Sequence, residues 1–334
     1  MLPVDGVSIL CALMLIAAAL LTTVLHRQRM MAIICLSVVG LIVSLIFVRF
    51  SAPDLALTQL SVEVVSVLLL MLAMYFLPVR AKADSDTLRV GRDAVLAVVI
   101  GVGVAAIALL VMTADTATIS PFFLENSVPG GGGTNVVNVI LVDFRGFDTF
   151  GEITVLGIAA LGIYALLSDL KLVSAKYDPF GRPWAHDAHP LVLVTLSRPL
   201  LPLALMIAVY IFLRGHNLPG GGFVAGLITA VALLLQYVAS GVTWVHKRIP
   251  GDYHPLVALG VLLAGLTGMA SWAFDAPFLT STFTHVHLPL IGDFELASAM
   301  LFDTGVFLTV VGATLLILAN LGKLSLLDDK KETS

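Results

Sequence analysis

Long apolar runs separated by short polar connections dominate the pattern of the chain. A helix that crosses a membrane needs about 20 mostly apolar residues. Nine runs approach that length: 7–25, 30–48, 55–77, 94–113, 150–167, 199–213, 223–240, 255–274 and 297–321. The runs 150–167 and 199–213 are the shortest. The pattern therefore predicts an all-α polytopic transmembrane helix bundle of about nine spans.

The composition points to the same class of protein. Of the 334 residues, 59% are hydrophobic and 12% are charged, whereas charged residues make up about a quarter of an ordinary soluble domain. A net charge of -4 and the lack of a basic face argue against a nucleic-acid partner. The two cysteines, Cys11 and Cys35, lie inside apolar runs without a second ligand nearby, so neither a metal site nor a disulfide is expected.

Lysine and arginine are distributed unevenly between the polar connections. One alternating set of connections carries nearly all of them, and the other set keeps only Arg49, Arg145 and Arg214. Because cytoplasmic loops retain Lys and Arg, nine spans predict an amino terminus outside and a carboxyl terminus in the cytoplasm. The expected location is the cell (inner) membrane, as a multi-pass protein in contact with the lipid bilayer.

The longest polar segment separates five spans from four. We predict a first module over 1–168, a cytoplasmic linker over 169–190, a second module over 191–323 and a cytoplasmic tail over 324–334. Two glycine clusters precede spans on the predicted outer side, "NSVPGGGGTNVVNVILVDFRG" and "RGHNLPGGGFVAG". The piece "NVVNVILV" is too short to span and indicates a re-entrant or interfacial segment. The second cluster is typical of a close helix approach, an unwound helix end or a tight turn.

Glu63 lies near the middle of the third run. Gln59 precedes it by four residues and Ser66 follows by three, so the three polar side chains form one stripe on a helix. An ionisable group inside a bilayer is costly and by default marks an ion path or a buried pair. We expect Glu63 to act in a proton or sodium relay, and the alternative is a neutral glutamate that serves only as a hydrogen-bonding pin.

The stretch "VDFRGFDTFGEI" leads into the fifth run with an unusual number of charges. Asp148 and Glu152 are four residues apart and share a helix face, and Asp143 and Arg145 lie just before them. The pattern also fits a capping box, with Thr149 as N-cap and Glu152 bonding back to its amide. A cap would explain Glu152 alone, whereas the whole cluster indicates a membrane mouth that attracts cations.

Asp303 lies about two turns into the last run. It is predicted to be either a second relay carboxylate or a partner of Arg145 or Arg214. No lysine falls inside any run, and no Walker loop, haem-ligand pair, nucleophile motif or zinc pattern is present. The chain is therefore expected to be a channel-forming partner without enzymatic activity, cofactor or resident metal.

Three long stretches resemble components of Mrp-type multisubunit sodium/proton antiporters. Two stretches resemble the carboxyl-terminal part of the large A-type component. They are "APDLALTQLSVEVVSVLLLMLAMYFLP" (52–78) and "GGGGTNVVNVILVDFRGFDTFGEITVLGIAALGIYAL" (130–166). The third stretch resembles the start of the small B-type component. It is "RPLLPLALMIAVYIFLRGHNLPGGGFVAGLITAVALLLQYVASG" (198–241). The resemblance assigns the polar segment to the junction between an A-type tail and a B-type component.

The resemblance implies an assembly that exchanges Na⁺ for H⁺, with an antiporter-core A-type chain and C, D, E, F and G types as partners. Glu63 and Glu152 match intramembrane glutamates linked to ion translocation in the family, and Asp143 and Asp148 match the acidic loop before the second glutamate. The many-helix core that precedes this tail in the usual A-type chain is not in the sequence. That core is expected either as a separate polypeptide or as the other half of a split chain.

The sequence thus predicts a subunit of a multisubunit cation/proton antiporter with a role in pH homeostasis. Its predicted pathway residues are Glu63, Asp143, Asp148, Glu152 and Asp303. Two alternatives stay open: a homologous ion-translocating subunit of a membrane-bound hydrogenase or related redox complex, and a purely structural scaffold. Na⁺, K⁺ and Li⁺ all suit carboxylate and carbonyl oxygens, so the sequence does not select the cation.

Overall fold

A computed structural model describes residues 5–74, 86–114, 117–168, 191–248, 252–288 and 292–326. Among these residues, nine helices are long and apolar enough to cross a membrane. They are Gly6–Val24 (α1), Arg29–Arg49 (α2), Pro53–Met74 (α3), Thr87–Thr113 (α4), Gly146–Ser168 (α7), Leu191–Arg214 (α8), Gly222–Ser240 (α9), His254–Ala270 (α11) and Ala299–Leu326 (α12). The predicted class and number of spans are confirmed, and the chain is a multi-pass membrane protein.

Short elements fill the connections at the ends of these helices. They are α5 (Ser120–Gly131), α6 (Val136–Val139), a π-helical turn (Ile140–Phe144), α10 (Val242–Arg248), a 3₁₀ turn (Ser271–Phe274) and the strands β1 (Phe283–Leu288) and β2 (Gly292–Ala297). β1 and β2 form an antiparallel hairpin that places Phe283 opposite Ala297. The sequence pattern did not predict this hairpin, which is the one strand pairing within the described ranges.

Two helices begin well before the apolar runs that predicted them. α4 starts at Thr87, although its apolar run starts at residue 94. α8 starts at Leu191 and continues through Pro199 and Pro202. Ser197 and Arg198 interrupt the apolar residues of this helix, so the apolar run that predicted the span begins only after them.

The centre of the bundle is formed by α9 and α12, whose spanning segments are 67% and 61% buried. α12 packs against α7, α9 and α11, while α9 also packs against α3 and α8. Small residues allow the close crossing of α11 and α12. A Cβ added to Gly260 would lie 2.6 Å from the backbone nitrogen of Thr309, and one added to Gly305 would lie 2.6 Å from the carbonyl oxygen of Gly260.

The first three helices pack in sequence order, α1 on α2 and α2 on α3. Asp5 caps α1 by accepting a hydrogen bond from the amide of Ser8, 3.3 Å away, and it pairs with Arg49 at 2.7 Å. These interactions with Ser8 and Arg49 lower the pKa of Asp5 to about 2. By contrast, no residue of α4 is buried within the described chain. The surface of this helix is therefore available for contact with lipid or with other proteins.

The starts of α3, α7, α9 and α12 come together at one end of the bundle. The predicted topology assigns the same connections to the outer side, but which side this end faces stays a prediction. The predicted modules do not separate in space, since α3 packs on α9 and α7 packs on α12. The predicted linker 169–190 lies outside the described residues, as does 327–334 of the predicted tail.

Candidate functional site

A cavity of about 360 Å³ lies where α3, α6, α7, α9 and α12 meet. Three carboxylates line it, and each comes from a different helix. Asp54 lies in the first turn of α3, Glu152 in the second turn of α7, and Asp303 in the second turn of α12. The other polar side chains of the lining are Thr58, Asn138 and Thr149. The predicted residues Glu152 and Asp303 therefore share one cavity.

The turn Gly220–Gly221–Gly222 at the start of α9 lies against two of these carboxylates. The amide of Gly220 donates to Asp54 Oδ1 at 2.8 Å, and a Cβ on Gly222 would lie 3.1 Å from Asp303 Oδ1. The two acids therefore flank the amino-terminal end of α9, whose dipole favours negative charge. The glycine cluster thus makes a tight turn and a close helix approach at once.

Gly221 has to be glycine for two reasons. Its φ of +107° is strained for any residue with a side chain. In addition, a Cβ at Gly221 would lie 2.8 Å from Asn138 Oδ1 and 3.2 Å from Asp303 Oδ2. These two oxygens therefore lie on the same side of the turn, at the wall of the cavity.

The two glycine clusters of the sequence are interlocked. We call the contact between residues 130–135 and 214–222 the glycine clasp. Asn135 Nδ2 donates to Gly215 O and to Leu218 O, both at 3.0 Å, and lies 3.2 Å from Asp54 Oδ1. His216 extends the contact, with Nε2 3.0 Å from Gly131 O. The clasp joins the two predicted modules beside the cavity.

Thr149 does not cap a helix as the sequence suggested. α7 begins at Gly146, so Thr149 lies in its first turn, and its hydroxyl donates to Leu141 O at 2.7 Å. The capping-box interpretation of Thr149 and Glu152 is therefore wrong. The reason is the π-helical turn before α7, after which the helix starts four residues earlier than a Thr149 cap requires. A carbonyl of this turn, that of Leu141, accepts the hydrogen bond of the Thr149 hydroxyl.

The remaining residues of the charged stretch lie outside the lining of the cavity. Asp143 Oδ1 accepts a hydrogen bond from the amide of Ser281 at 3.0 Å and so holds the connection between α11 and β1. Arg145 and Asp148 form an exposed ion pair with each other. Asp143, Arg145 and Asp148 therefore do not line the cavity with Glu152, although all four are close in sequence.

Asp303 is not the partner of either arginine proposed for it. Arg145 pairs with Asp148. Arg214 Nε donates to the carbonyl oxygen of Pro219 at 2.8 Å, and its guanidinium lies 5.1 Å from the ring centre of Tyr210. Asp303 is 8% exposed, and its carboxylate lies against the glycine turn instead, where a Cβ on Gly221 would be 3.2 Å from Oδ2.

Glu63 occupies a different place, on a groove of about 510 Å³ between α2 and α3. The groove is otherwise apolar except for Ser37. The carboxylate of Glu63 lies directly over Gly40 of α2, where a Cβ would overlap Oε2. Gln59 and Ser66, the predicted companions of Glu63, are half-buried on α3 and do not line the cavity.

Asp54 is the residue of this site that the sequence analysis missed. It is 6% exposed, and its Oδ2 has no hydrogen-bond partner within the described residues. Its position directly before the third apolar run made it resemble an ordinary helix-start acid. Among the residues that the structure describes, no three His, Cys, Asp or Glu side chains form a group able to hold a metal ion.

Three protein families match consecutive parts of the chain. Residues 192–316 match the domain related to the MnhB subunit of Na⁺/H⁺ antiporter. Residues 88–176 match MbhE, the E-type component of MBH, and residues 14–79 match MbhD, its D-type component. The matches therefore follow one another along the chain in the order MbhD, MbhE and MnhB.

Individual antiporter proteins also match the chain. The probable K⁺/H⁺ antiporter A/B component of Rhizobium meliloti is 43% identical over 318 residues, which cover 87% of this chain and 32% of that protein. The Na⁺/H⁺ antiporter B component of Bacillus subtilis is 44% identical over 133 residues, 40% of this chain and 93% of that protein. This chain thus spans about a third of the first relative and nearly all of the second.

A solved structure matches at the level of the fold and the sequence. It is the Mrp complex from Dietzia sp. DQ12-45-1b, with a TM-score of 0.81 and 33% identity over 96% of this chain and 35% of that chain. The antiporter relatives are transport proteins by their names. The chain belongs to the family of Mrp-type antiporter subunits, with an A-type carboxyl-terminal part followed by a B-type part.

Proposed function

We propose that this chain is a non-enzymatic subunit of a multisubunit cation/proton antiporter in the cell membrane. It contributes part of the path for Na⁺ or another monovalent cation and for H⁺, and it binds the antiporter-core A-type chain and partners of the C, D, E, F and G types. The observation that carries this proposal is the cavity into which α3, α7 and α12 each bring a carboxylate.

The energetic cost of these acids supports the proposal. An ionisable group within a membrane segment is expensive and persists where it has a function or a partner. Asp54 and Asp303 are almost fully buried, and the hydrogen bonds that Asp54 accepts come from amides and not from cationic side chains. A chain of such acids, each able to exchange a proton or a cation, is what an ion path requires.

Glu63 and the acids before α7 extend this path in the proposal. Glu63 is a second ion-exchanging carboxylate of the path, in the groove between α2 and α3. Asp143, Asp148 and their neighbour Arg145 form the acidic mouth beside the cavity, on the side that the charge distribution predicts to be external. Gln59, Ser66 and Thr149 act as supporting polar groups.

The proposal is tested by neutralising the two predicted acids of the cavity. In inverted vesicles that contain the assembled complex, Glu152→Gln and Asp303→Asn should each remove most cation-dependent proton exchange while the complex still assembles. Asp93→Asn is the matched control, because Asp93 is an exposed acid on α4 that pairs with Arg92. It should exchange like the unmodified protein.

The scaffold alternative makes the opposite prediction. If the acids only hold the helices together, each neutralised variant that assembles will exchange cations at the normal rate. That result, with normal amounts of complex in the membrane, would contradict the role in the ion path for both residues.

A further inference from the structure

We propose that the cavity is a binding site for one monovalent alkali cation, with the buried Asp54 as its principal ligand and with Asp303 and Asn138 completing it. This inference rests on the proposed function and deepens it, since it assigns the ion to one set of ligands and adds a residue that the sequence did not reveal. It follows from four observations on the lining of the cavity.

The first observation is an unsatisfied carboxylate oxygen. Asp54 Oδ1 accepts from Gly220 and Asn135, whereas Oδ2 is enclosed and receives no hydrogen bond from the described part of the chain. A buried polar atom without a partner is costly, and more so when it carries charge. A cation in the adjoining cavity would supply the missing partner.

The second observation is that the lining offers lone pairs and few donors. The hydroxyl of Thr58 donates to the backbone oxygen of Asp54 at 3.0 Å, and the hydroxyl of Thr149 donates to Leu141 O at 2.7 Å. Each hydroxyl has one proton and two lone pairs, so both oxygens are left as acceptors. Together with the carboxylates, they favour a positively charged guest.

The third observation concerns the nearby arginines, which are engaged elsewhere. Arg214 interacts electrostatically with Asp54, but its Nε donates to Pro219 O and its guanidinium stacks on Tyr210. Arg145 pairs with Asp148 at the surface. Neither side chain therefore hydrogen-bonds the free oxygen of Asp54.

The fourth observation selects a monovalent over a divalent ion. The described acids do not form a group of three around one point, and a tight Ca²⁺ site takes six to eight oxygens that include several carboxylates. The cavity of about 360 Å³ is large relative to the ~30 Å³ that a water molecule takes in the liquid. An ion that keeps part of its hydration shell fits these dimensions.

The test measures binding directly and needs no ion gradient. The purified complex is transferred from N-methylglucamine to increasing Na⁺, K⁺ or Li⁺ at constant ionic strength, and the infrared difference spectrum of its carboxylates is recorded. We expect a saturable change in the carboxylate bands. Asp54→Asn should weaken the apparent affinity by about tenfold or more, the scale of one lost charged contact.

Asp54→Asn separates charge from structure, because the amide oxygen still accepts from Gly220 while the charge is removed. Asp54→Ala removes both and is expected to lower the yield of complex as well. Asp93→Asn is the control, and it should titrate like the unmodified complex. If Asp54→Asn assembles and titrates like the unmodified complex, the cation site is wrong. A carboxylate signal that saturates with Ca²⁺ at lower concentration than with Na⁺, K⁺ or Li⁺ would overturn the monovalent assignment.

The result also separates this inference from the proposed function. Exchange that proceeds normally in Asp54→Asn, with an unchanged infrared titration, would remove the site and leave the antiporter role intact. A complex that binds alkali ions through Asp54 but exchanges none across vesicles would keep the site and remove the antiporter role.

Discussion

At the scale of single residues, Gly40 sets the position of the carboxylate of Glu63. A methyl group at Gly40 would overlap Oε2 of Glu63, which is the flexible end of a side chain and can move aside. We therefore expect Gly40→Ala to shift the carboxylate without separating α2 from α3. Because displacement of a functional group by about 1 Å can cost up to ~100-fold in rate, exchange in inverted vesicles should fall by about tenfold.

The matched control for this variant is Gly103→Ala. Gly103 lies on α4, and a Cβ there would have no neighbour within 4 Å. Its exchange activity and its amount of assembled complex should equal those of the unmodified protein. If Gly40→Ala assembles and exchanges at the normal rate, the position of the Glu63 carboxylate does not matter for transport.

At the scale of elements, the close crossing of α11 and α12 depends on Gly260. A Cβ on Gly260 would lie 2.6 Å from the nitrogen of Thr309 and 2.7 Å from the oxygen of Gly305. These are backbone atoms that cannot rotate away, so the helices must separate. Overpacking of this kind costs about 1–3 kcal/mol or more, and Gly260→Ala should lower the apparent melting temperature of the complex.

Gly162→Ala is the corresponding control on α7. No atom lies within 4 Å of a Cβ at Gly162, and alanine in a helix is favoured over glycine by about 0.5–1 kcal/mol. The melting temperature of this variant should stay level or rise slightly. A fall of equal size in both variants would mean that the loss of stability does not come from the crossing of α11 and α12.

Elements were predictable from the sequence where one local property decides them. The nine spans follow from the length of the apolar runs, and Glu152 and Asp303 stand out as charges within such runs. The π-helical turn before α7 has no comparable local signature, so the start of that helix and the role of Thr149 were misjudged. The hairpin β1–β2 lies between two runs and likewise gave no signal of its own.

Asp54 shows most clearly which features of the site a single sequence does not predict. Its contact with Gly220 joins positions 166 residues apart, and a single sequence contains no information on which distant backbone amide a carboxylate will reach. The glycine clusters could be noticed separately, but their interlocking is a property of the tertiary structure. A charged residue inside an apolar run is evident from the neighbouring sequence. An acid at the edge of a run is recognised only from its burial in the folded structure.

At the scale of the whole molecule, the two predicted modules depend on each other. α3 and α7 pack against α9 and α12, and the glycine clasp adds hydrogen bonds between the modules next to the cavity. The connection 169–190 is therefore not needed to hold them together. Chains divided within 169–190 and produced in the same cell should assemble and co-purify from detergent through a tag on either part.

Asn135→Ala tests whether the clasp contributes to this assembly. Asn135 Nδ2 donates to Gly215 O and Leu218 O from the opposite module, and a typical hydrogen bond contributes about 0.5–1.5 kcal/mol. In the divided protein the loss should reduce co-purification severalfold, because the parts are no longer tethered. In the continuous chain the same change should have a much smaller effect, since the connection keeps the local concentration of the modules high. Equal losses in both forms would indicate that Asn135 stabilises its own module and not the contact between the two.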